Sequence, residues 1–242
     1  MIASRTILVV AEDPRQARDL HRDLVVDGHD VSTVVDRFEA VRRITESLPD
    51  LVIVDEPPAA DSGFDLLAAI RRCSSVPVIV LSDHDDSPSK VAALDRGADD
   101  YLTKPCSEQE LRSRVRAVLR RSEMPAPTPK TRIVVDEYLT IDFDRREVIA
   151  DGKHVPLRPT EYRLLYHLVN NAGRVLTHET LLAKVWGYEY RTEEHYVRLY
   201  VTYLRQKIEP DPRHPRYILN ERGLGYRFAD LAPVEGVAAL LA

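Results

Sequence analysis

The chain has 242 residues, 44% of them hydrophobic and 30% charged, with a net charge of −5. That length holds two cores of roughly 100–120 residues each, and the composition excludes a disordered or fibrous protein. No apolar stretch approaches the ~20 residues of a membrane span, no signal-peptide pattern opens the chain, and Cys73 and Cys106 form neither a disulfide framework nor a metal motif, so a cytoplasmic protein without membrane contact is expected.

In chain order, Ile7–Val10 is an apolar run that ends on Ala11, Glu12 and Asp13. Asp13 reads as an N-cap, with Pro14 at the first helical position and Ala17, Leu20 and Leu24 on one face. A strand near Val31–Val35 precedes a helix from Arg37 to Ser47. The run Leu51–Val54 then ends on Asp55, and a helix carrying Phe64, Leu67 and Ile70 follows Gly63. Val78–Leu81 ends on Ser82, and Pro88 or Ser89 opens a helix that stops at Gly97. Tyr101–Thr103 ends on Lys104-Pro105, and Ser107 caps a last helix that buries Leu111, Val115, Val118 and Leu119. Strand and helix thus alternate five times, which predicts an α/β doubly wound parallel sheet of the flavodoxin type over residues 1–121. The C-terminal strand ends of such a sheet meet at one edge. Carboxylates, a hydroxyl and a lysine would gather there, a set suited to phosphoryl chemistry on Asp55, although each residue alone reads as a cap or a solvated strand end.

Residues 122–131 read SEMPAPTPKT, a Pro-rich linker. Residues 132–229 have a different plan. Ile133–Ile149 alternates like a small antiparallel sheet with a turn at Asp151-Gly152. Helices follow over Pro159–Asn171, Glu179–Val185 and Glu193–Glu209, and a hairpin pairs Tyr217–Asn220 with Gly225–Phe228. Three helices and a terminal hairpin predict an α+β winged helix-turn-helix. The tail, 230–242, is small and apolar.

Charge separates the halves. Residues 1–121 carry 17 Lys+Arg against 22 Asp+Glu, whereas residues 122–242 carry 17 against 17. Within His195–Arg227 seven basic residues face three acidic ones, a local excess suited to nucleic acid. On the third helix Val197, Val201, Leu204 and Ile208 share an apolar face, while His195, Arg198, Thr202 and Arg205 share another. An arginine on such a face can read guanine in a major groove. Arg222, beside Gly223 at the hairpin tip, is placed for a minor groove. Tyr226 and Phe228 are expected to pack the hairpin against the helices.

The run HYVRLYVTYLRQKIEPDPRHPRYILNERGLGYRF resembles the recognition helix and wing of OmpR/PhoB-family response regulators, particularly their KdpE-like branch. LRPTEYRLLYHLVNNAGRVLTHETLLAKVWG resembles the preceding helices, and Asp55, Ser82 and Lys104-Pro105 match the receiver. The resemblance covers about residues 5–228. It implies a two-component transcription regulator that binds duplex DNA and is switched by phosphorylation of Asp55 from a sensor histidine kinase, pairs as a homodimer, and has RNA polymerase as a candidate further partner. Carried over by position, Glu12, Asp55 and the Pro57 carbonyl would hold Mg²⁺, Ser82 and Lys104 would contact the phosphoryl group, and Tyr101 would swing inward as Ser82 moves. Lys90, Asp99, Asp100, Glu110, Arg114 and Arg121 match positions of cross-subunit ion pairs.

Three departures stand out. Ala11 replaces one of two adjacent acids, which is expected to weaken the metal site, and Pro57-Pro58 stiffen the loop that supplies the carbonyl. Arg158 stands where a Thr cap is usual. The alternative reading is a phosphorylation-independent regulator whose receiver is a dimerisation or other sensing module. An enzyme is not expected: there is no G-x-G-x-x-G fingerprint, P-loop or nucleophile elbow.

Overall fold

A computed structural model describes residues 4–56, 62–122, 132–190 and 192–230. Two compact units divide at Ser122/Glu123. The expected linker and the tail beyond Asp230 lie outside the described residues, apart from Ser122, which ends a helix.

The first unit alternates strand and helix: β1 Thr6–Ala11, α1 Pro14–Val25, β2 Asp30–Val34, α2 Arg37–Ser47, β3 Leu51–Asp55, α3 Ser62–Cys73, β4 Val78–Ser82, α4 Ser87–Asp95, β5 Asp100–Thr103 and α5 Glu108–Ser122. All five strands are parallel, in the order β2-β1-β3-β4-β5. Alternation of side chains along the strands splits the interior. Ile7, Val9, Leu51, Ile53, Ile79, Leu81 and Leu102 pack with Ala17 and Leu24 of α1 and Leu111, Val115 and Val118 of α5 in one core. Their strand neighbours Leu8, Val10, Val52, Val54, Val78 and Val80 are equally buried, as a sheet covered on both faces requires.

Caps set the helix boundaries. The Asp13 carboxylate accepts from the Arg15 amide at 2.8 Å, with Pro14 opening α1, and the Ser107 hydroxyl accepts from the Glu110 amide at 3.1 Å. The fourth helix starts earlier than Pro88, because Asp86 caps it by accepting from the Ser89 amide at 2.8 Å. After it, Gly97 takes φ +110°, and a Cβ there would meet Arg71 Cγ at 2.8 Å. Arg71 closes this corner by donating to the carbonyls of Gly97 and Val76 and to the Asp99 carboxylate.

The second unit opens with β6 Arg132–Val134, β7 Leu139–Asp142, β8 Glu147–Ala150 and β9 Lys153–His154, an antiparallel meander. Asp151 and Gly152, at φ +52° and +69°, make its last turn, the left-handed pair that a two-residue hairpin needs. Next come α6 Pro159–Val169, α7 His178–Val185 and α8 Glu194–Ile208, then the hairpin β11 Ile218–Glu221 and β12 Gly225–Phe228. One strand was not anticipated. β10, Val175–Thr177, pairs antiparallel with β12 and turns the hairpin into a three-stranded sheet. Three residues are too few for a period-2 pattern to show.

Burial of two carboxylates organises the helices of this unit. Glu161, fully buried in α6, accepts from the Arg158 backbone amide at 2.8 Å and pairs with Arg158 at 3.0 Å and with Lys207 of α8 at 2.6 Å. Arg158 is the poorer cap its chemistry implies: a guanidinium has no acceptor to offer and its side chain makes no capping bond, while Glu161 accepts from the Arg158 amide at the helix entrance. Glu209, just past α8, accepts from the amides of Arg216, Tyr217 and Ile218 at 2.8–3.1 Å and thereby seats the first strand of the hairpin.

At Gly225 a Cβ would lie 2.0 Å from the Leu176 carbonyl oxygen, and backbone cannot yield as a side-chain tip can. Gly225→Ala should destabilise the second unit by about 2–4 kcal/mol, with loss of the β10–β12 pairing. Denaturant unfolding together with amide exchange at Leu176 and Thr177 would check this.

Candidate functional site

The parallel register brings the chemistry together. Ala11 pairs with Asp55, Asp55 with Leu81, and Ser82 with Thr103, so the ends of β1, β3, β4 and β5 form one edge. Asp55 is only 7% exposed. The Lys104 ammonium lies 2.9 Å from Asp55 Oδ1, 3.2 Å from the Glu56 carbonyl oxygen and 3.2 Å from Asp83 Oδ2. Burial pushes the Asp55 carboxyl above its usual range; the Lys104 bond and charge pull it back, and the charges of Asp83 and Asp13 raise it again. On Lys104, burial works against the charge, but Asp55 and Asp83 outweigh it and leave the ammonium above its ordinary value.

Ser82 is buried, and its hydroxyl accepts from the His84 amide at 3.3 Å. Tyr101 already points inward: it is 6% exposed and donates to the His84 carbonyl at 2.7 Å. Burial raises its phenol, partly offset by a hydrogen bond from Ser82. Glu12 is exposed and paired with Arg37 at 3.2 Å. Pro57 and the rest of its loop lie outside the described residues.

The six charges expected at a cross-subunit face are largely used inside the receiver. Asp99 is fully buried, paired with Arg71 at 2.8 Å and bonded to the Val78 amide. Asp100 is equally buried and lies 3.8 Å from Arg114. Arg121 is 1% exposed and donates to the Asp99 carbonyl. Lys90 pairs with Asp85 at 2.7 Å, while Glu110 is exposed. Of the six residues matched by position to cross-subunit ion pairs, Asp99, Asp100 and Arg121 are thus buried within the receiver: the sequence shows the charges but not their burial.

In the second unit Val197, Val201, Leu204 and Ile208 are the buried face of α8, as their spacing predicts. On the other face Arg198 is exposed and pairs with Glu194 at 2.8 Å, and the exposed Thr202 bonds back to the Arg198 carbonyl at 2.9 Å. His195 is half-buried, 3.4 Å from Glu193. Arg205 is spent differently from expectation. It donates to the Ile218 carbonyl at 3.1 and 2.6 Å and lies over the Tyr226 ring, so it ties the helix to the hairpin. Tyr226 and Phe228 are buried, and Arg222 is exposed at the tip beside Gly223, whose φ is +74°. Sequence reasoning missed Asp83, Glu209 and the Glu194 partner of Arg198; Asp83 was signalled only by its place directly after Ser82.

The folds and the site define a receiver carrying a winged-helix output unit, and comparison with known proteins agrees. Residues 7–116 match the family model described as the response regulator receiver domain, and residues 152–228 match that of the transcriptional regulatory protein C-terminal domain. The chain is 43% identical over 222 residues to the transcriptional regulatory protein KdpE of Mycobacterium tuberculosis, covering 92% of this chain and 98% of that protein. It is 40% identical over 223 residues to KdpE of Escherichia coli, with 92% and 98% covered. The DNA-binding response regulator MtrA of Mycolicibacterium smegmatis is 36% identical over 221 residues, with 91% and 95% covered. Among solved structures, a cysteine-to-aspartate mutant of RitR superposes with a TM-score of 0.74 at 26% identity, covering 94% of this chain and all of that one. The chain belongs to the OmpR/PhoB family of DNA-binding response regulators of two-component systems.

Receiver domains generally take Mg²⁺ at this edge. No group of three or more His, Cys, Asp or Glu among the described residues is close enough to make a cage. The field nevertheless suits a hard cation: Asp13 and Asp83 both act on Asp55 by charge, and Asp55 Oδ2 accepts no hydrogen bond among the described residues. Mg²⁺ binds with one or two carboxylates and several waters, so the residues fit a water-rich site. No helix among the described residues is long and apolar enough to cross a membrane.

A raised carboxyl in the folded state means that the charged form opposes folding, so this contribution to stability is present at low pH and fades as pH rises through the folded-state value. At neutral pH Asp55→Asn, which removes the charge and keeps the shape, should raise the receiver's thermal midpoint by about 2–6 °C. Calorimetry at neutral pH and near the unperturbed carboxyl value would check it; the difference should shrink at the lower pH.

Proposed function

We propose that Asp55 is the phosphoacceptor of this regulator, charged by a sensor histidine kinase, and that phosphorylation switches DNA binding by the winged helix. The observation that carries the reading is the buried Asp55 carboxylate at the end of β3 with the Lys104 ammonium 2.9 Å away. An Asp55 oxygen forms the new bond to phosphorus as the bond from phosphorus to the kinase's phosphohistidine nitrogen breaks, that nitrogen keeping the electron pair; Lys104 then pairs with the phosphoryl oxygens, and the Ser82 hydroxyl donates to one of them. Glu12, Asp55 and the Pro57 carbonyl would hold Mg²⁺, with Glu12 exchanging its Arg37 partner for the cation. When bound, the ion neutralises charge on the entering phosphoryl group. Membership in this family favours the switched reading over a phosphate-independent regulator.

Pairing of receivers would use the α4-β5-α5 face, with Lys90, Asp100 and Arg114 exchanging internal partners for those of a second copy and with Glu110 already exposed. Such pairs supply ~0–1 kcal/mol each and set register more than affinity. RNA polymerase is the further partner expected of a regulator acting at a promoter. Incubation with acetyl phosphate and Mg²⁺ should add one phosphoryl group by intact mass and shift the protein toward dimers in sedimentation. Asp55→Asn should do neither. No mass gain in the natural chain would overturn the assignment and favour the phosphate-independent reading.

For the output unit, α8 enters a major groove through Arg198 and Thr202, with His195 at its rim, while Arg222 reaches the neighbouring minor groove. Arg205 holds the hairpin in place beneath them. Arg198→Ala should cost about 1–3 kcal/mol of operator affinity and relax preference at one base pair, whereas Arg222→Ala should weaken binding across sequences. Titration of both variants against the operator and against unrelated duplex would check this; unchanged affinity in the double variant would sink the assignment.

A further inference from the structure

Lys104 is shared between two carboxylates. Its ammonium lies 2.9 Å from buried Asp55 and 3.2 Å from Asp83, whose side chain is 45% exposed. Asp83 follows Ser82 directly, in the loop between β4 and α4 that overhangs the strand-end edge. That loop is fastened at several points. His84 donates its amide to Ser82 at 3.3 Å and receives the Tyr101 hydroxyl on its carbonyl at 2.7 Å. Asp85 accepts from Lys90 at 2.7 Å and from Thr103 at 3.0 Å. These bonds fix the backbone on the C-terminal side of Asp83, whose half-exposed carboxylate pairs with Lys104 beside the acceptor.

The geometry points to Asp83 as a positioning residue that gates phosphoryl entry by charge, an inference resting on the reading of Asp55 as phosphoacceptor. Asp83 draws Lys104 partly off Asp55 and sets a fixed negative charge before any anionic donor. With acetyl phosphate, an Asp55 oxygen bonds to phosphorus while the bond from phosphorus to the acetyl oxygen breaks, and acetate leaves with the electron pair. A monoanionic carboxylate and a dianionic donor become a dianionic acyl phosphate and a monoanionic acetate, with no proton moved. Lys104 then belongs to the phosphoryl oxygens, and Asp83 loses its partner beside a larger negative charge. Entry of the phosphoryl group and release of Asp83 from Lys104 are thus one event.

The test uses the full chain with Asp83→Asn, which removes the charge at constant shape, and Asp83→Glu, which keeps it. Labelling is followed by intact mass with acetyl phosphate and with phosphoramidate, which carries less negative charge at neutral pH, each at low and high salt. Asp83→Asn should label on the order of tenfold faster with acetyl phosphate, the gain should be smaller with phosphoramidate, and salt should narrow it. Asp83→Glu should stay near the natural rate. An equal gain for both donors would mark a merely structural effect and overturn the gate. Equal rates in all three proteins would overturn it too while leaving the Asp55 assignment intact, and no mass gain in any protein would overturn both.

Discussion

A carboxylate held out of water at the end of a buried strand is the constraint around which the receiver is arranged. Asp55 sits between two apolar neighbours in the sheet, Ala11 on β1 and Leu81 on β4, and burial alone would drive it toward the neutral acid. The chain answers with one cation directly after β5, and the reach of Lys104 across β4 requires β3, β4 and β5 to end in register. The doubly wound topology supplies that register, so the fold and the chemistry of the edge are one problem. The compensation is incomplete, so the Asp55 carboxyl stays above its usual range, and its charged form is poorly solvated, which suits the proposed role of an oxygen that attacks phosphorus.

The output unit uses buried acids for a different end. Glu161 on α6 binds Lys207 of α8, and Glu209 at the end of α8 gathers three amides of the chain that leads into the hairpin. Each of these contacts brings a donor to a carboxylate oxygen, which replaces the water lost on burial. Removing either partner set would leave a buried charge alone, which costs far more than the pair contributes. Helix and hairpin are therefore fixed by polar contacts as well as by the packing of Tyr226 and Phe228.

Much of this was legible in the sequence. The four strand ends, the Asp13 and Ser107 caps, the Asp151-Gly152 turn and the apolar face of α8 all follow from local rules of period and capping, and the structure shows each of them. What was not legible depends on neighbours distant in the chain. Arg205 shares a helical face with Arg198, and only the arrival of Ile218 decides that it anchors the hairpin. Asp99 and Asp100 look like surface acids until β5 is placed at the sheet edge beneath α5, with Arg71 and Arg114 as their cations. Asp83 was one acid among several in an acidic loop, and its meaning came from the position of Lys104, twenty-one residues on.

The Arg205 and Glu209 contacts bear on how this regulator meets its operator. A hairpin tied by a guanidinium to its Ile218 carbonyl and by a carboxylate to the Ile218 amide and the two amides before it is held against tilting independently of the helix. On the proposed mode of binding, helix and wing would meet duplex DNA as one unit, with the span between Arg198 and Arg222 set by these contacts. The adjustment that brings adjacent grooves to that span would then fall on the DNA, and sequences that bend or narrow easily would be favoured at base pairs no side chain touches. Part of the operator's information would in this way be written in stiffness.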